Sequence, residues 1–288
     1  MIGDLAKPLA GDRRPGDAKT LPHSKSPDGT VKARARQRRE GNLVLLAQVL
    51  IVLLLIAGMY ALNAAAGKLT MPRPDAILQQ FTRMWSDGTM LKGLLESLTV
   101  LGLGFLLSVV TGIGIGALLG SFRVLNRVFD PFVNALNATP GAAFIPLIIV
   151  WFGLYTEAKV VVVWNAAVFP ILISTAAGIA NADKNLIEMG RAFGAKRLRL
   201  FWEIMVPDAL PSILSGLRIG AAVCTVGTVI AELTMAQSGL GGLLAQAGNR
   251  FQMDKYFAVV IVLMVVATAI IAVLRMAENR VGRWRLSQ

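Results

Sequence analysis

Cysteine occurs once, as Cys224, and histidine once, as His23. A single cysteine excludes an internal disulfide framework and a CxxC metal site. A single histidine in a polar stretch removes every Ser-His-Asp and Cys-His set, so neither catalytic residues nor a metal site are expected. No G-x-x-x-x-G-K-[ST] run occurs, and the chain is therefore expected to hydrolyse no ATP itself. No hydrophobic span carries paired carboxylates. Charge is scarce: 16% of the 288 residues are Asp, Glu, Lys or Arg, against about 25% in ordinary soluble domains.

What the chain does have is apolar sequence, 55% of residues with a mean hydropathy of +0.61. Long uncharged runs of this kind define a polytopic membrane protein. Leu43 to Leu62 and Ser97 to Gly120 carry no charge. Neither do the runs between Asp130 and Glu157, between Lys159 and Asp183, and between Lys255 and Arg275. Pro211 to about Met235 is mostly apolar, with Arg218 and Glu232 near its ends. About six transmembrane helices are expected, because in lipid only a helix pairs its own backbone within one segment. The stretch GIGIGALLG (112–120) lies inside a span, where small residues serve close helix packing rather than phosphate binding.

The net charge of +12 resembles that of a nucleic-acid binder. Its distribution argues otherwise, since the positive residues sit between spans and not on one compact domain; no nucleic-acid partner is expected. With the N-terminus inside, inner segments hold 22 of the 29 basic residues. That bias places both termini in the cytoplasm. Residues 1–42 do not read as a signal peptide, being long and rich in Gly, Pro, Asp and basic residues. They read as a disordered basic cytoplasmic tail. Its run KARARQRR suits a charged stop before the first span or contact with anionic lipid. The expected division is then a first transmembrane helix at 43–66 and an outer segment at 67–92. A core follows at 93–275, containing a cytoplasmic loop at 181–211, and a cytoplasmic end at 276–288. Within the outer segment, Ile77, Phe81, Met84 and Trp85 recur at helical spacing and predict a short amphipathic helix.

The loop at 181–211 is the polar interruption in the greasy half of the chain. Asn185 followed by Glu188 resembles a capping box. Gly194 suits the left-handed residue that ends a helix. Leu198, Phe201, Trp202 and Met205 form one apolar stripe on a second helix, expected over Ala195 to Met205, with Lys196, Arg197 and Arg199 opposite. Pro207 is expected to stop that helix and Pro211 to open the next span. Two uses fit: a helix resting on membrane lipid, or a helix laid into the groove of a partner.

Polar residues inside the spans are the other candidates. Thr225, Thr228 and Glu232 share one helix face, and a carboxylate within a span is by default a functional candidate. Pairing with another span or contact with interfacial water explains Glu232 equally. Asn134, Asn137, Thr139 and Pro140 suit either a solute path or a local helix break. Trp164 and Asn165 carry no clear signal.

The order Glu188, Gly194-Ala195, Phe201, Pro207, Pro211 and Gly216-Leu217-Arg218 resembles the EAA loop of type I ABC importer permeases. Three further stretches resemble the nitrate, sulfonate and taurine subfamily: PLIIVWFGLYTEAKV (146–160), AELTMAQSGLGGLL (231–244) and VLRMAENRVGRW (273–284). The similarity covers roughly residues 90–288. It implies an all-α, MetI-like permease fold in the bacterial cytoplasmic (inner) membrane. The implied function is movement of a small solute, such as a sulfonate, taurine or nitrate, driven by a separate ATPase. Glu188, Gly194, Ala195, Phe201, Trp202, Pro207 and Pro211 would form the coupling loop. Thr225, Thr228, Glu232 and Asn137 are, on their own chemistry and not on the resemblance, the candidates for a translocation path. ABC ATPase subunits that bind the ATP, an extracytoplasmic solute-binding protein and a second copy of the chain are the implied partners. Where the family usually has Glu-Ala-Ala, this chain has Glu188-Met189-Gly190, and glycine at 190 is expected to weaken the first loop helix. An ion-coupled secondary transporter is the alternative. It predicts several buried acids and an inverted repeat, and the sequence offers one candidate acid and no obvious repeat.

Overall fold

In the computed structural model, which describes residues 27–67, 70–235 and 238–282, every described regular element is a helix. The first, α1 (Pro27–Ala66), begins well before the expected boundary at residue 43. Residues 27–42 are thus continuous with this helix. From Lys32 to Glu40 this stretch is made only of Lys, Ala, Arg, Gln and Glu, which propagate helix readily from an adjoining span. Residues 1–26 of the expected tail, and 283–288 of the expected C-terminal end, lie outside the described residues. Contacts divide the chain into two units, residues 1–57 and 58–288. In the first, Leu46, Leu50, Leu53 and Leu54 of α1 are all exposed, an apolar surface suited to lipid.

The second unit holds the core. The expected amphipathic helix is α2 (Pro74–Ser86), opened by proline in its first turn. Its Met84 packs with Met90 of α3 (Thr89–Ser121), Leu240 of α10 (Gly239–Asn249) and Val259 of α11 (Met253–Gly282). Small residues recur along one edge of α3 at Gly104, Ser108, Gly112, Gly116 and Gly120, all buried. They let its backbone approach α6 (Thr156–Ala180), since a Cβ on Gly120 would fall 2.6 Å from the Ala176 carbonyl oxygen.

The order of these contacts fixes direction. Gly104 faces Val160 and Val163, Gly112 faces Val168 and Ile171, and Gly120 faces Ala176 and Ile179. The helices α3 and α6 therefore run parallel. Along α9 (Val206–Met235), Gly216, Gly220 and Gly227 face Ser174, Ile171 and Ala166 in turn, so α9 runs antiparallel to both.

Two parallel neighbours require a connection that returns across the bilayer. That connection is α4 (Arg123–Ala138), a 3-10 turn (Gly141–Phe144) and α5 (Ile145–Phe152), with an 89° bend between the two apolar helices. The expected third span is thus a broken one. Pro140 lacks an N–H and pushes Thr139 into extended backbone (φ −76°, ψ 127°). Among the described residues, five single helices are long and apolar enough to cross a membrane, and counting the bent pair as one span makes six.

Between α6 and α9 lies the predicted loop, as α7 (Lys184–Ala192) and α8 (Arg197–Leu200). The second loop helix does not stop at Pro207. It passes through a π turn (Phe201–Met205) straight into α9, and Pro211 lies inside that helix instead of opening it. In the π turn the Val206 N–H donates to the Phe201 carbonyl. This wider loop gives the proline ring room that an ordinary α-turn denies it.

Candidate functional site: an elbow, a cleft and a buried knot

The loop folds as an elbow held by its own backbone. Asp183, not Asn185, caps α7: its Oδ1 accepts from the Asn185 N–H at 2.8 Å. A single side-chain cap two residues upstream thus replaces the expected capping box. The Asp183 N–H in turn donates to Asp208 Oδ2 at 3.0 Å and ties the elbow to the start of α9. Gly194 has φ +78°, as its predicted role requires. Its N–H donates to Arg191 O at 2.8 Å and the Ala195 N–H to Gly190 O at 3.0 Å, the paired bonds of a Schellman ending. Gly190, expected only to weaken α7, has a packing reason: a Cβ there would fall 2.6 Å from Leu200 Cδ2.

The expected apolar stripe is divided. Phe201 and Met205 pack onto the cluster of Ile179, Ala209 and Ile213. Trp202 and Leu198 are exposed, Trp202 by 63%, and Phe193 is exposed by 86%. Phe201 touches Trp202 edge-on, with ring centroids 5.1 Å apart. Glu188 is exposed and Ala195 half-buried. The elbow therefore presents Phe193, Leu198 and Trp202 outward while Phe201 anchors it.

The bend between α4 and α5 opens a cleft of about 360 Å³ against α6 and α9. Asn137, Thr139 and Asn165 supply its polar side chains, and none of its described lining residues is charged. Pro170 also lines it and, having no N–H, leaves the Ala166 carbonyl without its helical donor. Asn137 thus lines this cleft. Asn165, which carried no clear signal in the sequence, joins it because α6 runs alongside the break in the third span.

Thr225, Thr228 and Glu232 are not on this cleft. The α9 residues lining it are Val223, Val226, Gly227 and Ile230. The predicted trio faces the other way, toward Ser97, Leu101 and Leu263, around a space of only about 20 Å³. The Thr225 and Thr228 hydroxyls donate to their own helix, to Ala221 O at 3.0 Å and Cys224 O at 2.9 Å. The structure therefore separates Asn137 from the three residues predicted beside it.

Glu232, 1% exposed, belongs to a knot at the end of the bundle opposite the elbow. The Ser97 hydroxyl lies 2.8 Å from both its carboxylate oxygens, and the Gly241 N–H donates to Oε2 at 2.8 Å. The Leu240 N–H donates to Ser97 Oγ and the Gly239 N–H to Glu96 Oε2, each at 2.8 Å. The first three N–H groups of α10 are thus capped by side chains from α3 and α9, and two carboxylates lie where its helix dipole favours negative charge. Lys159, 2% exposed, donates to Ser238 Oγ at 2.6 Å beside this knot. A Cβ on Gly241 would fall 2.5 Å from Glu232 Cβ, so glycine admits the carboxylate.

Among the described residues, five helices that can span a membrane and a bent pair that can make a sixth define a multi-pass membrane protein. Residues 108–283 match the family model of the binding-protein-dependent transport system inner membrane component, and the chain belongs to that family. It is an ABC importer permease subunit and a multi-pass inner-membrane protein. It is 30% identical to the taurine transport system permease protein TauC of Escherichia coli (strain K12), over 75% of this chain and 80% of that one. It is also 30% identical to the putative aliphatic sulfonates transport permease protein SsuC of Bacillus subtilis (strain 168), over 89% and 93%. A chain from an inward-facing crystal structure of the MetNI methionine ABC transporter shares the fold. Its TM-score is 0.61 and its identity 21%, over 69% of this chain and 98% of that one.

Proposed function

We propose that two copies of this chain form the channel of an importer that moves a small anion, a sulfonate, taurine or nitrate, into the cytoplasm. Each elbow docks in a separate ATPase subunit that binds the ATP, and a solute-binding protein delivers cargo at the knot end. Both termini then face the cytoplasm, on the elbow side. The observation that carries this reading is the elbow itself: large apolar side chains held outward on a rigid turn, in helical continuity with α9. Phe193, Leu198 and Trp202 offer the anchors that a partner groove buries. One elbow per chain fits one ATPase per copy. The relatives named for taurine and sulfonates support the cargo class, and the uncharged cleft suits it, since fixed cations would hold an anion too tightly to release it.

Closure of the ATPases moves both elbows, and the unbroken helix from Arg197 to Met235 carries that motion past the cleft, shifting the pair between two packings. The test is purification in detergent followed by reconstitution with the cognate ATPase and binding protein. A copurifying Walker-motif ATPase and ATP-dependent uptake of a sulfonate or nitrate support the reading. Uptake driven by an ion gradient without ATP establishes the secondary-transporter alternative instead.

A further inference from the structure

The elbow touches more of the bundle than the start of α9. Arg197, three residues beyond the Gly194 turn, reaches out to the far end of α3. Its guanidinium carbon lies 4.5 Å from the centroid of the Phe122 ring, and its Nη2 donates to the Ser121 carbonyl at 3.4 Å. By contrast, Arg199 pairs within its own helix, with Glu203 at 2.9 Å. Ser121 is the last residue of α3, so its carbonyl is among those a helix end leaves without an internal partner, and a cation is favoured there.

Phe122 is a joint. It is the single extended residue (φ −124°, ψ 102°) between α3 and α4. No residue of α4 is buried, and its hold on the core runs through the partly buried Leu125 and Val133, which pack against Leu119, Leu172 and Ala176. Its far end is the break at Thr139 and Pro140, where Asn137 and Thr139 enter the cleft. The helix, about 24 Å long with Pro131 inside it, is thus lightly held and jointed at both ends.

We infer that Arg197 is a positioning residue that links the elbow to the α3–α4 joint, so that displacement of the elbow swings α4 and moves Asn137 and Thr139 in the cleft. This rests on the importer reading above and adds a second line of transmission beside α9. A cation over an aromatic ring combined with a helix-end carbonyl resists both sliding and rotation, which a joint must do to pass on a push. Arg197→Ala leaves the docking side chains Phe193, Leu198 and Trp202 in place, so ATPase association is expected to stay intact.

The experiment compares Arg197→Ala, Phe122→Leu, the double variant and Phe122→Trp in proteoliposomes containing the full importer, reading solute moved per ATP hydrolysed. Arg197→Ala and Phe122→Leu each lower that ratio about fivefold or more, as expected for loss of one such contact. ATPase turnover and subunit stoichiometry stay at wild-type levels. The double variant is no worse than either single one, and Phe122→Trp, which keeps an aromatic face, retains the ratio. An unchanged ratio in Arg197→Ala, additive losses in the double variant, or loss of the ATPase from the complex overturns the inference. Failure of the wild-type chain to couple with any ATPase would instead overturn the function proposed above.

Discussion

The two ends of the second unit are built on opposite plans. At the knot, Glu96, Ser97, Lys159 and Glu232 from three helices meet Ser238 and the start of α10, and each named contact crosses between elements. At the elbow, the defining bonds run within a few residues of backbone, and the large side chains point away. The first plan completes itself inside one chain. The second leaves large apolar side chains exposed. A closed end and an open end on the same helix, α9, are what a lever needs: a place that holds and a place that is pushed.

If that contrast is right, changes at the knot cost stability and changes at the elbow cost coupling. Glu232→Ala leaves the Ser97 hydroxyl and the Gly241 N–H without their acceptor inside the bundle. Each such loss costs about 1–3 kcal/mol, so a large fall in the detergent unfolding temperature or in the yield of folded protein is expected. Glu232→Gln, which keeps one acceptor oxygen, should fall between the two. An unaltered melting curve for the alanine variant would remove the knot from the account.

Gly241→Ala forces a methyl toward Glu232 and the Val229 carbonyl, 3.0 Å away. About 1–3 kcal/mol of destabilisation is expected, visible in the same melting experiment and absent from Gly102→Ala on a face with open space.

Gly194→Val acts at the other end. Left-handed backbone costs a side-chain-bearing residue about 1–2 kcal/mol, and the elbow meets no neighbour there. Membrane insertion is retained while uptake and ATPase coupling are lost. Normal uptake would contradict the proposed rigid bend.

Trp202→Ala should barely change melting, within about 0.5 kcal/mol for an exposed position. It should nevertheless weaken capture of the ATPase by about 30-fold if the indole is an anchor. A destabilised but fully associated variant would reverse the contrast between the two ends.

Much of this was legible from particular residues. Charge-free runs announced the spans, and Gly194 announced the turn, because left-handed backbone has a strong preference for glycine. Periodicity at Ile77, Phe81, Met84 and Trp85 announced α2. Other signals were present but pointed elsewhere. Pro207 read as a stop, yet a π turn absorbed it. Thr225, Thr228 and Glu232 do share a face, but periodicity gives only which residues share it, not what that face meets. Asn165 became a cleft residue through a break in another span.

The order of residues alone therefore determined the class of molecule, the number of crossings and the site of the elbow. These depend on hydrophobicity and local backbone preference, which act over a turn or a span. Tertiary packing decided the parallel pairing of α3 with α6, the broken third span that this pairing demands, and the assignment of Glu232 to a knot and Asn137 to a cleft. Those outcomes depend on which backbones approach closely enough for side chains far apart in sequence to meet, and no stretch of one helix contains that information.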